Sequence, residues 1–155
     1  MTTAPATTTD RNLDAACITV SDEIARTDSK ASLLLAFDGA VLAGLASVAD
    51  KNLPVFTQAV GGVAALALAA AAVLLLLVVR PCFTVPGRVA AGTFPQWAGM
   101  GETALQESMT EDTRPARIRA LSALAVRKYQ RLARAVDIIL AALALLALAA
   151  IGALA

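Results

Sequence analysis

Four places along this chain hold residue types with chemistry to offer. The element Asp28-Ser29-Lys30-Ala31-Ser32 sets donors beside an apolar run. Lys30 and Ser32, with Arg26 one turn earlier, suit an anion held at a membrane surface. The same residues serve equally as a snorkelling lysine and a polar helix start. Arg127-Lys128-Tyr129, followed by Arg131 and Arg134, is the second place. Its cations either bind a small phosphorylated ligand, with Tyr129 stacking on a base, or mark topology through anionic lipid at ~1 kcal/mol per cation. The stretch is too short and too near the bilayer for nucleic acid. Third is Asp38, in the middle of an apolar run, where a carboxylate costs about 2.5 to 3.5 kcal/mol on the insertion scale and must face other helices or water. It is either a hydrogen-bonded structural residue or a pore-lining or oligomer-switching one. Last, Ala36, Ala40 and Gly44 repeat at intervals of four, and Gly39 and Ala43 repeat the spacing. Small residues at that interval let helices approach closely in lipid.

Catalytic machinery is harder to find. The chain has no His, so the commonest general base and a frequent metal ligand are missing. Cys17 and Cys82 form no metal-spaced pair. Gly99-Met100-Gly101 is too short for a phosphate loop, and adjacent Asp22 and Glu23 point to different helix faces. The reading is a protein that is not an enzyme, with no metal and no cofactor.

The elements that must position these residues are membrane spans. Residues 31–49, 59–79 and 135–155 are apolar runs of 19 to 21 residues. At 1.5 Å per residue they reach roughly 28 to 32 Å, the thickness of a bilayer core. A chain of 155 residues cannot bury three helices that are apolar all round. The fold class is therefore all-α, an integral membrane protein with three transmembrane helices and amphipathic cytoplasmic helical stems.

Nine of the 13 Lys and Arg residues lie between Arg80 and Arg134, whereas residues 50–58 hold only Lys51. The positive-inside rule puts the long segment and the N-terminus in the cytoplasm. The expected order is a disordered segment at 1–9, a cytoplasmic amphipathic helix at 10–30, a span at 31–49, an external loop at 50–58 and a span at 59–79. A cytoplasmic loop and basic helix at 80–134 and a last span at 135–155 complete it.

In the first stem Leu13, Cys17, Val20, Ile24, Thr27 and Ala31 share a helical face, with Asp10 as N-cap and Ile18 off the stripe. In the second, which starts near Thr113 and Pro115, the stripe is Ile118, Leu121, Ala125, Tyr129, Leu132 and Val136, with Arg127, Arg131 and Arg134 opposite. Each stem needs a partner for its stripe, and the other stem is the obvious one. Between Pro81 and Met109, seven Pro and Gly residues predict an irregular loop with a short helix after Gly101. Trp97 there is an interfacial anchor or a packing residue.

An acidic-x-Lys-Ala-Ser element at the mouth of the first span, a two-span hairpin, a cytoplasmic loop, and Leu121-Ser122-Ala123-Leu124-Ala125-Val126-Arg127-Lys128-Tyr129 running into the last span resemble the transmembrane effector family of Pycsar antiphage defence. The likeness runs from about Leu13 to the end, with Ser29 where Thr is expected. It implies an effector in the bacterial inner membrane, partnered by the lipid bilayer and by a pyrimidine nucleotide cyclase, to which the small-residue spacing of the spans adds a homo-oligomer. Its activating ligand would be a cyclic pyrimidine mononucleotide, cCMP or cUMP, and its output a loss of membrane integrity. A phosphate would seek Lys30, Arg127 or Lys128 first. Two readings from other classes stand beside this one: an assembly membrane protein such as a plasmid-transfer subunit, and a small constitutive channel centred on Asp38.

Overall fold

A computed structural model describes residues 7–49, 54–80, 84–85, 88–89 and 92–154. The expected disorder of the first residues, the tip of the loop expected to be external, and Pro81, Cys82, Pro86 and Gly87 lie outside the described residues. The order is α1 (Thr8–Val48), α2 (Val55–Val79), β1 (Thr84–Val85), β2 (Arg88–Val89), α3 (Phe94–Ala98), α4 (Glu102–Ser108) and α5 (Arg114–Leu154). Three of these helices, α1, α2 and α5, are long and apolar enough to cross a bilayer. The fold is all-α, since β1 and β2 form a single antiparallel pair of two-residue strands, Thr84 opposite Val89 and Val85 opposite Arg88.

α1 and α5 have 41 residues each, about 62 Å, roughly twice the hydrocarbon thickness. Stem and span are thus one uninterrupted helix in both cases. α1 begins earlier than the sequence suggests. Thr7, not Asp10, is the cap: Thr7 Oγ1 accepts the Asp10 N–H at 3.1 Å, and the Asp10 carboxylate accepts the Thr7 N–H at 3.1 Å. The reciprocal pair satisfies two donors that the helix cannot, which an acid at the cap itself would not do. α2 ends where Arg80 donates back to the Leu76 carbonyl, immediately before Pro81, which has no N–H to continue the ladder.

The chain divides into two compact units. The span unit, residues 27–80 and 128–155, has an apolar centre of Ala31 from α1, Leu68, Ala71, Leu75 and Val78 from α2, and Leu132, Ala135, Ile139 and Ala142 from α5. Leu34, Leu35, Leu42 and Leu45 of α1 pack against it. Small and large side chains alternate along these lines, and the small ones let the three helices approach closely. At one end Thr57 Oγ1 donates to the Ala149 carbonyl at 3.4 Å, and at the other Arg131 Nη1 donates to the Leu77 carbonyl at 3.4 Å, a cation at the C-terminal end of α2.

The stem unit, Met1–Arg26 and Pro81–Arg127, contains α3, α4 and the stem portions of α1 and α5. Gly92 holds a φ of +72°, and a Cβ there would lie 2.6 Å from Thr113 Oγ1. Only glycine fits a left-handed turn pressed against the start of α5. Its N–H donates to Gln96 Oε1 at 2.7 Å. Trp97 lies on α3, half-buried.

Candidate functional site

A short ion pair in the span unit joins the two stretches singled out for anion chemistry. Lys128 Nζ donates to Asp28 Oδ1 at 2.5 Å, across 100 residues of sequence. The Lys128 side chain is only 7% exposed, while Asp28 keeps 33% of its side-chain surface. Helical spacing explains the meeting. On α1, Thr27, Ala31 and Asp38 form the buried line, with Asp28 at its edge; on α5 the line is Lys128, Leu132, Ala135, Ile139 and Ala142. A lysine on a buried line is costly without a partner, and Asp28 supplies one.

The sequence stripe on α5 is corrected by this register. Tyr129 is 43% exposed, and Lys128 takes the inward place instead. Once Asp28 neutralises it, the long apolar stem of lysine packs where an aromatic ring was expected. Arg26 and Lys30 on α1 and Arg127 on α5 are exposed, and Arg26 leans on Glu23 at 3.5 Å as a surface pair. Ser32 is exposed and donates its hydroxyl hydrogen to the Asp28 carbonyl at 2.9 Å, so its oxygen still has acceptor capacity. The structure therefore brings Lys128 to Asp28 and leaves Lys30, Ser32 and Tyr129 at the surface of the same unit. Arg26 and Arg127 belong to the stem unit.

Asp38 is fully buried, and among the described residues neither of its carboxylate oxygens has a hydrogen-bond partner. It lies seven residues after Ala31 and four after Leu34, on the face of α1 that packs into the apolar centre.

Sequence reasoning missed the polar node of the stem unit. Arg114 donates to Asp10 Oδ1 at 2.6 Å, to Asp14 Oδ1 at 3.0 Å and to Asp112 Oδ1 at 2.8 Å. Hydrogen bonds from Thr7 and then Arg114 lower the Asp10 pKa to about 2. Side-chain and backbone bonds from Arg114 hold Asp112 below its ordinary value, and Asp112, Asp10 and Asp14 together raise Arg114. One signal was available: a cation in the first turn of a helix opposes the macrodipole and asks for acids, and Asp10 and Asp14 are four apart on one face. Beside this node a shallow groove of about 470 Å³ is lined by Cys17, Ile18, Ser21, Asp22 and Arg117 among others. Its acids offset its cations, so it presents no single-sign field. Among the described residues no group of His, Cys, Asp and Glu is arranged to hold a metal ion.

A family model described as PycTM, the Pycsar effector protein domain, matches residues 12–155. No curated protein and no solved structure matches the chain.

Proposed function

The chain belongs to the Pycsar effector family and is a membrane effector of antiphage defence, and we propose that a cyclic pyrimidine mononucleotide, cCMP or cUMP, made by a partner cyclase, triggers it to impair the bacterial inner membrane. The observation that carries the trigger is the Asp28–Lys128 pair, which clasps α1 to α5 where both helices meet the first and last spans. Asp28 is partly exposed, so a phosphodiester drawn in by Lys30 has access to the pair and competes with Asp28 for the Lys128 ammonium. Release frees α1 from α5. Tyr129, exposed on the neighbouring position of α5, is the residue for stacking on the base.

The arrangement acts with both stems and the loop in the cytoplasm, on the side where the cyclase product appears. The crowding of cations between Arg80 and Arg134 supports that orientation. Reporters fused after Met1 and within residues 92–109 read as cytoplasmic, and one after Ala155 as external; an external loop signal overturns the orientation and the ligand access with it. The protein works as a homo-oligomer. Supporting this, Ala36, Gly39, Ala40, Ala43 and Gly44 form an exposed small-residue face on α1, and a Cβ at Gly39 or Gly44 would meet nothing within 4 Å.

The test uses full-length protein in liposomes with an imposed potassium diffusion potential. Addition of cCMP or cUMP collapses the potential for the parent and not for Lys30→Glu, whose insertion is unchanged because the residue is exposed. Depolarisation by Lys30→Glu equal to the parent removes Lys30 from the site. A parent that ignores both nucleotides overturns the trigger.

A further inference from the structure

Asp38 and Asp137 are the only charged residues within 31–49, 59–79 and 135–155, and both are acids. Asp137 is exposed and lies near the start of the last span, one turn after Arg134. Asp38 is different in kind: its oxygens are closed off from solvent, have no donor among the described residues, and sit on the α1 face that meets Leu, Ala and Val side chains of α2 and α5. A lone carboxylate in that place weakens helix packing that an alanine or leucine would improve. Neither the family match nor the packing of this resting arrangement gives it a task.

We infer that Asp38 is the selectivity residue of the activated effector, and that the damage is a cation-selective leak rather than a general loosening of the bilayer. The inference rests on the proposed reading of this chain as a triggered membrane effector. Any rearrangement that admits water between α1 and its neighbours hydrates Asp38, so the desolvation cost carried in the resting packing is a bias toward the wetted state. The path thus formed has fixed negative charge, no fixed positive charge from the spans, and low-dielectric walls of Ala, Leu and Val. Such a constriction concentrates K⁺ and Na⁺ and repels chloride, the logic of acidic rings in cation channels. With several copies around the path, each contributes one Asp38. A bilayer merely disordered by loosened helices would instead pass ions of either sign and dyes of larger size.

The experiment is reversal-potential measurement on the full chain in planar bilayers under a tenfold KCl gradient, with cCMP or cUMP present on both faces, and calcein release from matched liposomes. The parent current reverses close to the K⁺ equilibrium value while calcein is retained. In Asp38→Asn the reversal shifts back toward zero; in Asp38→Glu it stays with the parent. A parent current that reverses at zero, calcein release in step with ion flux, or a K⁺ preference unchanged in Asp38→Asn overturns the selectivity assignment while leaving the triggered effector standing. A parent that stays silent with both nucleotides, in bilayers and in cells carrying the cyclase, overturns the proposed nucleotide trigger and this inference together.

Discussion

The two units of the chain hold their helices together by opposite means. The span unit has an apolar centre, and its ion pair is dry on the cationic side: the Lys128 side chain is 7% exposed and that of Asp28 33%. In the stem unit a single guanidinium gathers three carboxylates whose side chains are between 38% and 63% exposed. A wet network gains little from each contact, is screened by salt and reforms readily. A dry pair contributes little over an apolar substitute, yet breaking one half of it leaves a buried charge without compensation. The contacts of the stem unit are therefore the easier ones to exchange, and under the proposed trigger the Asp28–Lys128 pair serves as the latch.

The contrast is broken most severely at the latch. Asp28→Asn strands the Lys128 ammonium and costs about 3 kcal/mol, the low end for a broken buried pair because Asp28 is partly exposed. The variant unfolds earlier in detergent titrations and leaks without nucleotide. Lys128→Glu, by setting a second carboxylate against Asp28, goes the same way and does not simply block the trigger. Asp28→Asn combined with Lys128→Met recovers most of the stability by replacing the pair with neutral groups. If the double variant is no more stable than the single one, the pair is not a dry latch.

Asp38→Leu works in the reverse direction. It removes an insertion penalty of about 2.5 to 3.5 kcal/mol, so the variant inserts at least as well as the parent and withstands more denaturant, while triggered depolarisation is lost. Full depolarisation by this variant makes Asp38 dispensable and returns the mechanism to the stems.

The wet network is tested by salt and pH. Raising NaCl to about 0.5 M shortens the Debye length to roughly 4 Å, and limited proteolysis then cuts the stem unit of the parent faster. Arg114→Ala is cut fast at low salt too and gains no further sensitivity. Asp10 is held at about 2, below its ordinary 3.8. A depressed carboxylate contributes stability that is complete above the unfolded value and lost as pH falls through the folded one, so the α1 start holds above about pH 4 and frays toward pH 2. The Thr7 and Asp10 amide resonances report this directly, and resonances that do not move between pH 4 and 2 contradict it.

Smallest is Thr57→Val at the far end of the span unit, where the bond to Ala149 is a long 3.4 Å. It costs about 0.5 kcal/mol, visible as a slight shift of the unfolding midpoint. A loss several times larger makes that end, rather than the latch, the weak point.

Much of this was legible in the residues themselves. Three runs of membrane length needed only the rise of a helix and the cost of bare backbone in lipid to be read as spans. The α1 stripe was equally plain: Leu13, Cys17, Val20 and Ile24 are half-buried, Thr27 and Ala31 are buried, and the off-stripe Ile18 is 62% exposed. The family resemblance drawn from Asp28 to Ser32 and Leu121 to Tyr129 was likewise legible, and the family model covers both stretches. These are properties of one helix at a time, and a periodicity of 3.6 carries them.

What the tertiary structure decided is everything that depends on two helices at once. The rotation of α5 about its axis placed Lys128 inside and Tyr129 at the border, although their neighbours in sequence suggest the reverse. The register of α1 against α5 set Asp28, 100 residues away, opposite that lysine, and turned Asp38 into the core rather than toward lipid. The Arg114 node likewise joins residues about a hundred positions apart. No local pattern encodes these choices, because an isolated amphipathic helix fixes which of its faces is buried only to within a residue or so. The partner's side chains, competing for the same strip of buried surface, select the final angle.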